Sequence, residues 1–95
     1  MALAPAAIAH RSATPSPAKV ALGKKVFKAN CGGCHTLSAA GTHGKIGPNL
    51  GMEMLKYATV VWEVKNGNST MPGFAGTLKP TQIDEVATFV IASIS

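Results

Sequence analysis

The chain has 95 residues, so it can form one domain at most, and at that size only about 60 per cent of the unfolded surface can be buried. Its formal charge is +5, and residues 1–50 contain no acidic residue. A basic face of this kind suits either an acidic partner protein or a surface that is simply solvated, whereas nucleic acid is a poorer candidate because no binding motif accompanies the lysines.

Residues 1–18 are rich in alanine and proline. Their apolar part is too short to span a bilayer, and no positive region precedes it, as a secretory signal requires. We interpret residues 1–18 as a flexible extension or linker, whether a trimmed leader or anchor or a cloning scar, which would allow a membrane tether or a fusion upstream. His10 is then a tail residue and not a ligand.

The first predicted helix spans residues 18–30. Ser16 is a good cap, and Pro17 suits the first helical position. Val20, Gly23 and Phe27 fall on one stripe of this helix. Because glycine is costly inside a helix, Gly23 indicates that another backbone passes close by.

The segment Cys31-Gly32-Gly33-Cys34-His35 follows directly. C-x-x-C-H is the attachment signature for a c-type haem. The two thiols can form thioethers with the vinyl groups along one porphyrin edge, and the adjacent histidine can bind the iron. We expect the glycine pair to leave the turn free to take the backbone angles that double attachment demands.

Two other uses of a C-x-x-C pair fit less well. Structural zinc usually takes four protein ligands, and His10 and His43 are additional candidates without a recognisable spacing. A thioredoxin-like redox pair needs a βαβ pattern around it, whereas a glycine-rich loop follows here. Haem attachment is therefore the preferred interpretation.

Residues 36–50 are predicted to form a loop, because Gly41, Gly44 and Gly47 break any periodicity. A haem-ligating histidine normally donates its other ring proton to a carbonyl, and the carbonyl of Pro48 is our candidate for the acceptor. An ordinary rigid turn at Pro48 is the alternative. His43 is expected to be exposed and not a ligand.

A second helical pattern covers residues 52–66, with Met52 and Met54 expected as core filler. Asn66-Gly67-Asn68 stops the helix. Tyr57 and Trp62 each combine an apolar body with one polar donor, so either could bind a haem propionate, although packing alone is the more frequent role.

Residues 69–74 form a loop without periodicity. A methionine in such a loop is not explained by core packing, and Pro72 limits the backbone of Met71 to extended shapes that can point a thioether inward. Met71 is our candidate for the second axial ligand, opposite His35.

The last predicted helix spans residues 80–93, with an apolar stripe that includes Ile83, Val86 and Val90. Lys79 stands where a capping serine would be expected, so this end of the helix is expected to be less well capped.

Taken together, residues 19–94 resemble a class I cytochrome c. The resemblance rests on Gly23 to Phe27, the C-x-x-C-H segment, Gly47 to Leu50 and Met71-Pro72, which occur in the order of that family. It implies an all-α fold, with three to four helices wrapped around one covalently bound haem, in a domain of residues 19–95. It also implies that the first and last helices cross, so that Gly23 and Phe27 meet Val86 and Phe89. The His35–Pro48 hydrogen bond and iron ligation by Met71 follow from it too.

The function implied is one-electron transfer, without enzymatic chemistry, between redox proteins of a respiratory or photosynthetic chain. Partners would dock at the exposed haem edge of a monomer, through acidic surfaces of their own, in the periplasm, at an outer membrane face or in the thylakoid lumen. The alternatives are an electron-entry domain of a larger membrane-bound oxidase or dehydrogenase, and a haem enzyme or gas sensor with an open iron position. Residues 64–74 are most similar to the small bacterial and photosynthetic cytochromes c, whereas the loop of residues 44–50 is more like the mitochondrial type.

Overall fold

The computed structural model describes residues 15–94, which form three α-helices and a two-stranded antiparallel sheet. In chain order they are α1 (Pro17–Asn30), β1 (Thr36–Leu37), a 3₁₀ turn (Ser38–Ala40), β2 (Thr42–His43), a second 3₁₀ turn (Leu50–Met52), α2 (Tyr57–Asn66) and α3 (Pro80–Ile94). The predicted mainly helical fold is confirmed. His10 and most of the predicted extension lie outside the described residues.

Helix α1 begins as its capping residues dictate. The Ser16 hydroxyl accepts a hydrogen bond from the Lys19 amide at 3.1 Å, and Pro17 occupies the first turn, where no partner for a backbone amide is needed. Pro17 and Ala18 are therefore helical, so the helix starts inside the stretch that we assigned to the extension. At the other end, the Cys31 amide donates to the Phe27 carbonyl and closes the helix directly on the first cysteine of the motif.

Helices α1 and α3 cross at Gly23, as the resemblance implied. A Cβ atom at Gly23 would lie 2.0 Å from the Glu85 carbonyl oxygen and 2.7 Å from the Phe89 Cβ atom, so only glycine allows this approach. One turn further along, the rings of Phe27 and Phe89 meet with their centroids 5.8 Å apart at an angle of 58°. The crossing places the C-terminal end of α1, and hence the cysteine motif, beside the core.

The connection to α2 differs from the prediction. Helix α2 begins at Tyr57 and not at Met52, because the Asn49 side chain accepts from the Gly51 amide and starts a short 3₁₀ turn that ends at an extended Glu53. Met52 and Met54 are 79% and 100% exposed, so the prediction that they fill the core is wrong. The residues from Met52 to Lys56 therefore precede the helix, and the side chains of Met52 and Met54 extend into solvent.

The predicted loop of residues 36–50 also contains regular structure. Thr36 pairs with His43, and Leu37 pairs with Thr42, in a two-stranded antiparallel sheet. His43 is exposed, as expected. Strands of two residues have no measurable alternation of apolar and polar side chains, so their sequence could not indicate them.

Helix α3 starts without a serine or threonine cap, but the amide of the capping residue, Lys79, has a hydrogen-bond partner. The Gln82 carboxamide oxygen accepts from the Lys79 amide at 2.8 Å, which is the return half of a capping box. The helix then buries Ile83, Val86, Ala87, Phe89 and Val90. None of the helices between residues 15 and 94 has the length and apolar run needed to cross a membrane.

One carboxylate, Asp84, joins all three helices. Its Oδ2 atom lies 2.5 Å from the Lys19 Nζ atom of α1, and its Oδ1 atom accepts from the Tyr57 hydroxyl of α2 at 2.5 Å. The hydrogen bond to Asp84, aided by burial, raises the pKa of Tyr57 to about 12. Burial acts to raise the pKa of Asp84, but the hydrogen bonds from Lys19 and Tyr57 outweigh it and lower that pKa. We call these three residues the Asp84 clamp.

Candidate functional site

The C-x-x-C-H segment forms a tight turn that continues from α1. The amides of Cys34 and His35 both donate to the Cys31 carbonyl, at 3.1 and 2.9 Å. Cys31 and His35 are each only 9% exposed, whereas Cys34 is exposed. Burial, with a smaller effect from Cys34, raises the pKa of the Cys31 thiol to about 11, so this thiol is protonated at neutral pH.

The loop before the second 3₁₀ turn fixes the orientation of His35. The Nδ1 atom of His35 lies 2.8 Å from the Pro48 carbonyl oxygen, the contact that the sequence led us to expect. Because a carbonyl can only accept, Nδ1 carries a proton, and in the neutral imidazole Nε2 is then the nitrogen with the free lone pair. The Gly47 amide donates to the Cys34 carbonyl at 2.7 Å and fastens this loop to the motif.

Gly47 is a residue of the site that the sequence analysis missed. A Cβ atom at this position would lie 2.4 Å from the Cε1 atom and 2.8 Å from the Nδ1 atom of His35. The imidazole therefore packs directly on the backbone of the loop. The available signal was the glycine immediately before Pro48, which we used as a loop marker and as part of the segment Gly47 to Leu50, without assigning it a contact with His35.

The Met71 loop is held against the end of α2. Gly67 has φ of 70°, which favours glycine, and a Cβ atom there would lie 2.4 Å from the Met71 carbonyl oxygen. Met71 also exchanges two backbone hydrogen bonds with Asn68, and the Phe74 amide donates to the Val64 carbonyl at 2.7 Å. This short rigid connection leaves the Met71 side chain partly buried against the core.

These segments enclose one cavity of about 390 Å³. Its lining includes both cysteines, His35, Pro48 and Met71, together with apolar side chains of all three helices, namely Phe27, Val60, Val64, Val86 and Val90. The volume lies in the range of about 300–1,000 Å³ that is usual for pockets that hold cofactors and other small molecules. Two thiols, one imidazole with a free Nε2 and one thioether thus face a largely apolar space, and this donor set fits a covalently attached haem.

Tyr57 and Trp62 do not belong to this constellation. Neither side chain lines the cavity; Tyr57 is committed to the Asp84 clamp, and Trp62 is 58% exposed. The suggestion that one of them binds a haem propionate therefore has no support in the geometry. Within residues 15–94, no three His, Cys, Asp or Glu side chains come together as a metal-binding cluster, so the zinc interpretation gains no further ligand there.

Residues 18–90 match the family model described as cytochrome c oxidase, cbb3-type, subunit III. Among curated proteins, the chain is 38% identical to cytochrome c6 of Limnospira maxima, with 76% of this chain and 90% of that protein covered. It is 37% identical to cytochrome c6 of Petalonia fascia, with 74% and 87% covered. These relatives are covered over most of their own length.

Two solved structures are similar in both fold and sequence. The c-type cytochrome SorU from Sinorhizobium meliloti superimposes with a TM-score of 0.77 at 32% identity, covering 83% of this chain and 94% of that chain. Cytochrome c6 from the diatom Phaeodactylum tricornutum gives a TM-score of 0.65 at 32% identity, covering 79% and 93%. The structural similarity therefore extends over most of this chain and nearly all of each solved chain.

Proposed function

This chain belongs to the class I cytochromes c, a family of monohaem electron carriers, and we propose that Cys31, Cys34, His35 and Met71 hold its single haem c. The observation that supports this assignment is the common cavity. Side chains from two distant segments, the cysteine motif after α1 and the loop after α2, line the same apolar space. We propose that the domain that carries the site begins with α1 at Pro17, two residues before the boundary expected from the sequence, and that the preceding residues form an extension.

Each residue has a distinct role in this proposal. Cys31 and Cys34 would provide the covalent attachment, and the His35 Nε2 atom and the Met71 thioether would be the protein ligands of the iron. Pro48 fixes the tautomer of His35 by accepting the Nδ1 proton at 2.8 Å. When bound, the haem supplies a one-electron couple between ferric and ferrous iron.

The protein tunes and protects that couple. Met71 is a soft, neutral ligand that favours the ferrous state and raises the reduction potential. The apolar side chains of the cavity disfavour net charge and exclude water. With His35 and Met71 both as ligands, the iron would keep no position for a substrate, so we propose that the chain carries electrons and is not an enzyme.

Partner proteins are proposed to dock where the cavity opens to solvent. Cys34 is exposed there, and the Ile46 side chain, which lines the cavity, is 73% exposed. Exposed lysines occur nearby in sequence on both sides of the motif, at Lys28 and Lys45, and no acidic residue precedes Glu53. An acidic partner surface is the complementary choice. We place the protein in the periplasm or the thylakoid lumen, where family members work as redox carriers.

The alternative functions receive less support. The matched family model describes an oxidase subunit, which would suit an electron-entry domain, but the curated relatives are cytochromes c6 matched over most of their length. A gas sensor or enzyme would need an open iron position, and the placement of Met71 in the cavity argues against one. We therefore retain the electron carrier.

Attachment is tested by expressing the chain with a haem-attachment system and measuring intact mass after denaturation. The native sequence is expected to retain one haem, and the double variant with Cys31→Ser and Cys34→Ser is expected to lose it. Met52→Leu, at an exposed position, should retain one haem like the native chain. Loss of covalent haem from the native chain would overturn the site.

Carrier function is tested by oxidation kinetics of the ferrous protein with small anionic and cationic oxidants. If electrons leave through a basic face, the rate with the anionic oxidant should fall as salt is added, and the rate with the cationic oxidant should rise. The variant Lys45→Gln should weaken the salt dependence of both oxidation rates. Equal salt dependence for the two oxidants would contradict the proposed docking face but not the haem site.

A further inference from the structure

Thr42 contacts the haem-attachment segment at two separate points, although it is not part of the motif. Its hydroxyl donates to the His35 carbonyl at 2.9 Å and accepts from the Leu37 amide at 3.1 Å. The antiparallel pairing of Leu37 with Thr42 brings the hydroxyl to this place. One side chain therefore bridges the backbone on both sides of Thr36 and fixes the direction in which the chain leaves His35.

The methyl group of Thr42 makes the second contact. A Cβ atom at Gly32 would lie 2.6 Å from the Thr42 Cγ2 atom and 3.2 Å from its Cβ atom, whereas a Cβ atom at Gly33 would meet nothing within 4 Å. Neither Gly32 nor Gly33 has a positive φ. The expectation that the pair supplies conformational freedom is thus replaced by a steric reason, which applies to Gly32 alone: its missing side chain makes room for Thr42.

We propose that Thr42 is a positioning residue for haem attachment, with its hydroxyl holding the His35 backbone and its methyl group filling the space that the absent Gly32 side chain leaves. This proposal rests on the proposed function, because it assigns Thr42 a role toward the ligand His35. The two contacts lie at Gly32 and His35, on either side of Cys34, so Thr42 sets the shape of the segment that presents both thiols and the imidazole. It does so from a strand that makes no contact with the cavity.

The hydroxyl contact is tested in the holoprotein with Thr42→Val, which keeps the shape and removes both hydrogen bonds, and Thr42→Ser, which keeps them. The matched control is Thr36→Val. This variant removes the hydrogen bond that the hydroxyl group of Thr36, in strand β1, donates to the Gly44 carbonyl. In the ferrous form, hydrogen exchange of the Leu37 amide is expected to accelerate roughly tenfold in Thr42→Val relative to the Val86 amide in α3, which reports global opening. Thr42→Ser should stay near the native rate.

The same three variants are compared by electron paramagnetic resonance of the ferric form, whose g-values report the orientation of the axial ligands. Thr42→Val is expected to shift or broaden these signals, while Thr36→Val and Thr42→Ser keep the native values. The proposal would be overturned if the Thr42→Val and Thr36→Val proteins gave the same result in both hydrogen exchange and electron paramagnetic resonance.

The methyl contact is tested by a rescue experiment that does not depend on Thr42→Val folding. Gly32→Ala is expected to lower the midpoint of thermal unfolding and the yield of attached haem, and Gly33→Ala is expected to change neither. Adding Thr42→Ser to Gly32→Ala removes the clashing methyl group and should restore most of both. Equal effects of the two alanine variants, or no rescue, would overturn the steric part.

Failure of the proposed function can be distinguished from failure of the Thr42 proposal. In the first case the native protein itself would lack covalent haem or a low-spin ferric signal. The Leu37 exchange rates and the thermal midpoints of the Gly32 and Gly33 variants are properties of the polypeptide, so they would then be compared in the chain as purified.

Discussion

The imidazole of His35 is confined by two consecutive residues of one loop. The Pro48 carbonyl oxygen accepts a hydrogen bond from Nδ1–H at 2.8 Å, and Gly47 approaches so closely that any side chain would overlap the ring. The first contact decides which nitrogen is free, and the second decides where the ring lies. The proposed iron ligand is thereby prepared by the chain itself, through a hydrogen bond and a steric limit.

Replacing Gly47 with alanine should displace the ring. The added Cβ atom would lie 2.4 Å from the Cε1 atom, and overpacking of this kind costs about 1–3 kcal/mol. We expect Gly47→Ala to lower the free energy of unfolding by that amount and to alter the ferric absorption spectrum. The control is Gly76→Ala, because Gly76 has no atom within 4 Å of such a Cβ and should leave both measurements close to native.

The helix crossing gives a second prediction. In an isolated helix, Gly23→Ala would stabilise by about 1 kcal/mol through helix propensity. At the crossing the new Cβ atom would lie 2.0 Å from the Glu85 carbonyl oxygen, so the net effect should be a loss of about 2 kcal/mol or more, measured by denaturant unfolding. Leu22→Ala, at a half-exposed neighbouring position, should cost less than about 1 kcal/mol. A stabilised Gly23→Ala protein would show that α1 and α3 do not touch there.

The Asp84 clamp predicts an acid-dependent contribution to stability. The pKa of the Asp84 carboxyl group is lowered in the folded chain, so the folded state binds fewer protons than the unfolded state. The stabilising contribution of Asp84 is therefore complete above the unfolded pKa of about 4. It is lost as the pH falls through the folded pKa. Because the groups are partly exposed, Asp84→Asn should cost only about 1 kcal/mol at pH 7.

The difference between native and Asp84→Asn proteins should shrink as the pH is lowered below about 4, which unfolding curves at a series of pH values would show. Glu85→Gln is the control, since Glu85 forms no ion pair within residues 15–94. A difference that stays constant across the acid range would contradict the role of charge in the clamp.

Local sequence was enough to predict the parts of the site that depend on short spacings. The C-x-x-C-H signature and the capping of α1 by Ser16 each involve only a few consecutive residues, so both can be recognised from the chain alone. Gly23 was informative for a different reason. A glycine that weakens a helix indicates a close tertiary neighbour, and the structure supplies that neighbour in α3.

The features that could not be predicted depend on tertiary contacts or on polar side chains in loops. Apolar spacing placed the start of the second helix at Met52, but the Asn49 side chain caps a 3₁₀ turn instead and the helix starts at Tyr57. The role of Thr42 depends on strand pairing over two residues, which leaves no periodic signal. Tyr57 was considered for the cavity because of its polar tip, and its actual partner is Asp84 on another helix.

Met71 carries the most specific prediction about the iron. Met71→Leu retains the volume of the side chain but removes the sulfur atom, so one axial position should open. We expect this variant to bind carbon monoxide in its ferrous form and to have a lower reduction potential, because a soft ligand that favours ferrous iron is lost. Met52→Leu, at a position 79% exposed, should behave like the native protein.

The most direct test of the His35/Met71 site is the absorption spectrum of the purified native protein, ferric and ferrous, the latter with and without carbon monoxide. A closed site predicts a sulfur-to-iron charge-transfer band in the ferric form and no change when carbon monoxide is added to the ferrous form. A missing band together with ready carbon monoxide binding would contradict the assignment of Met71, and with it the account of this chain as a simple electron carrier.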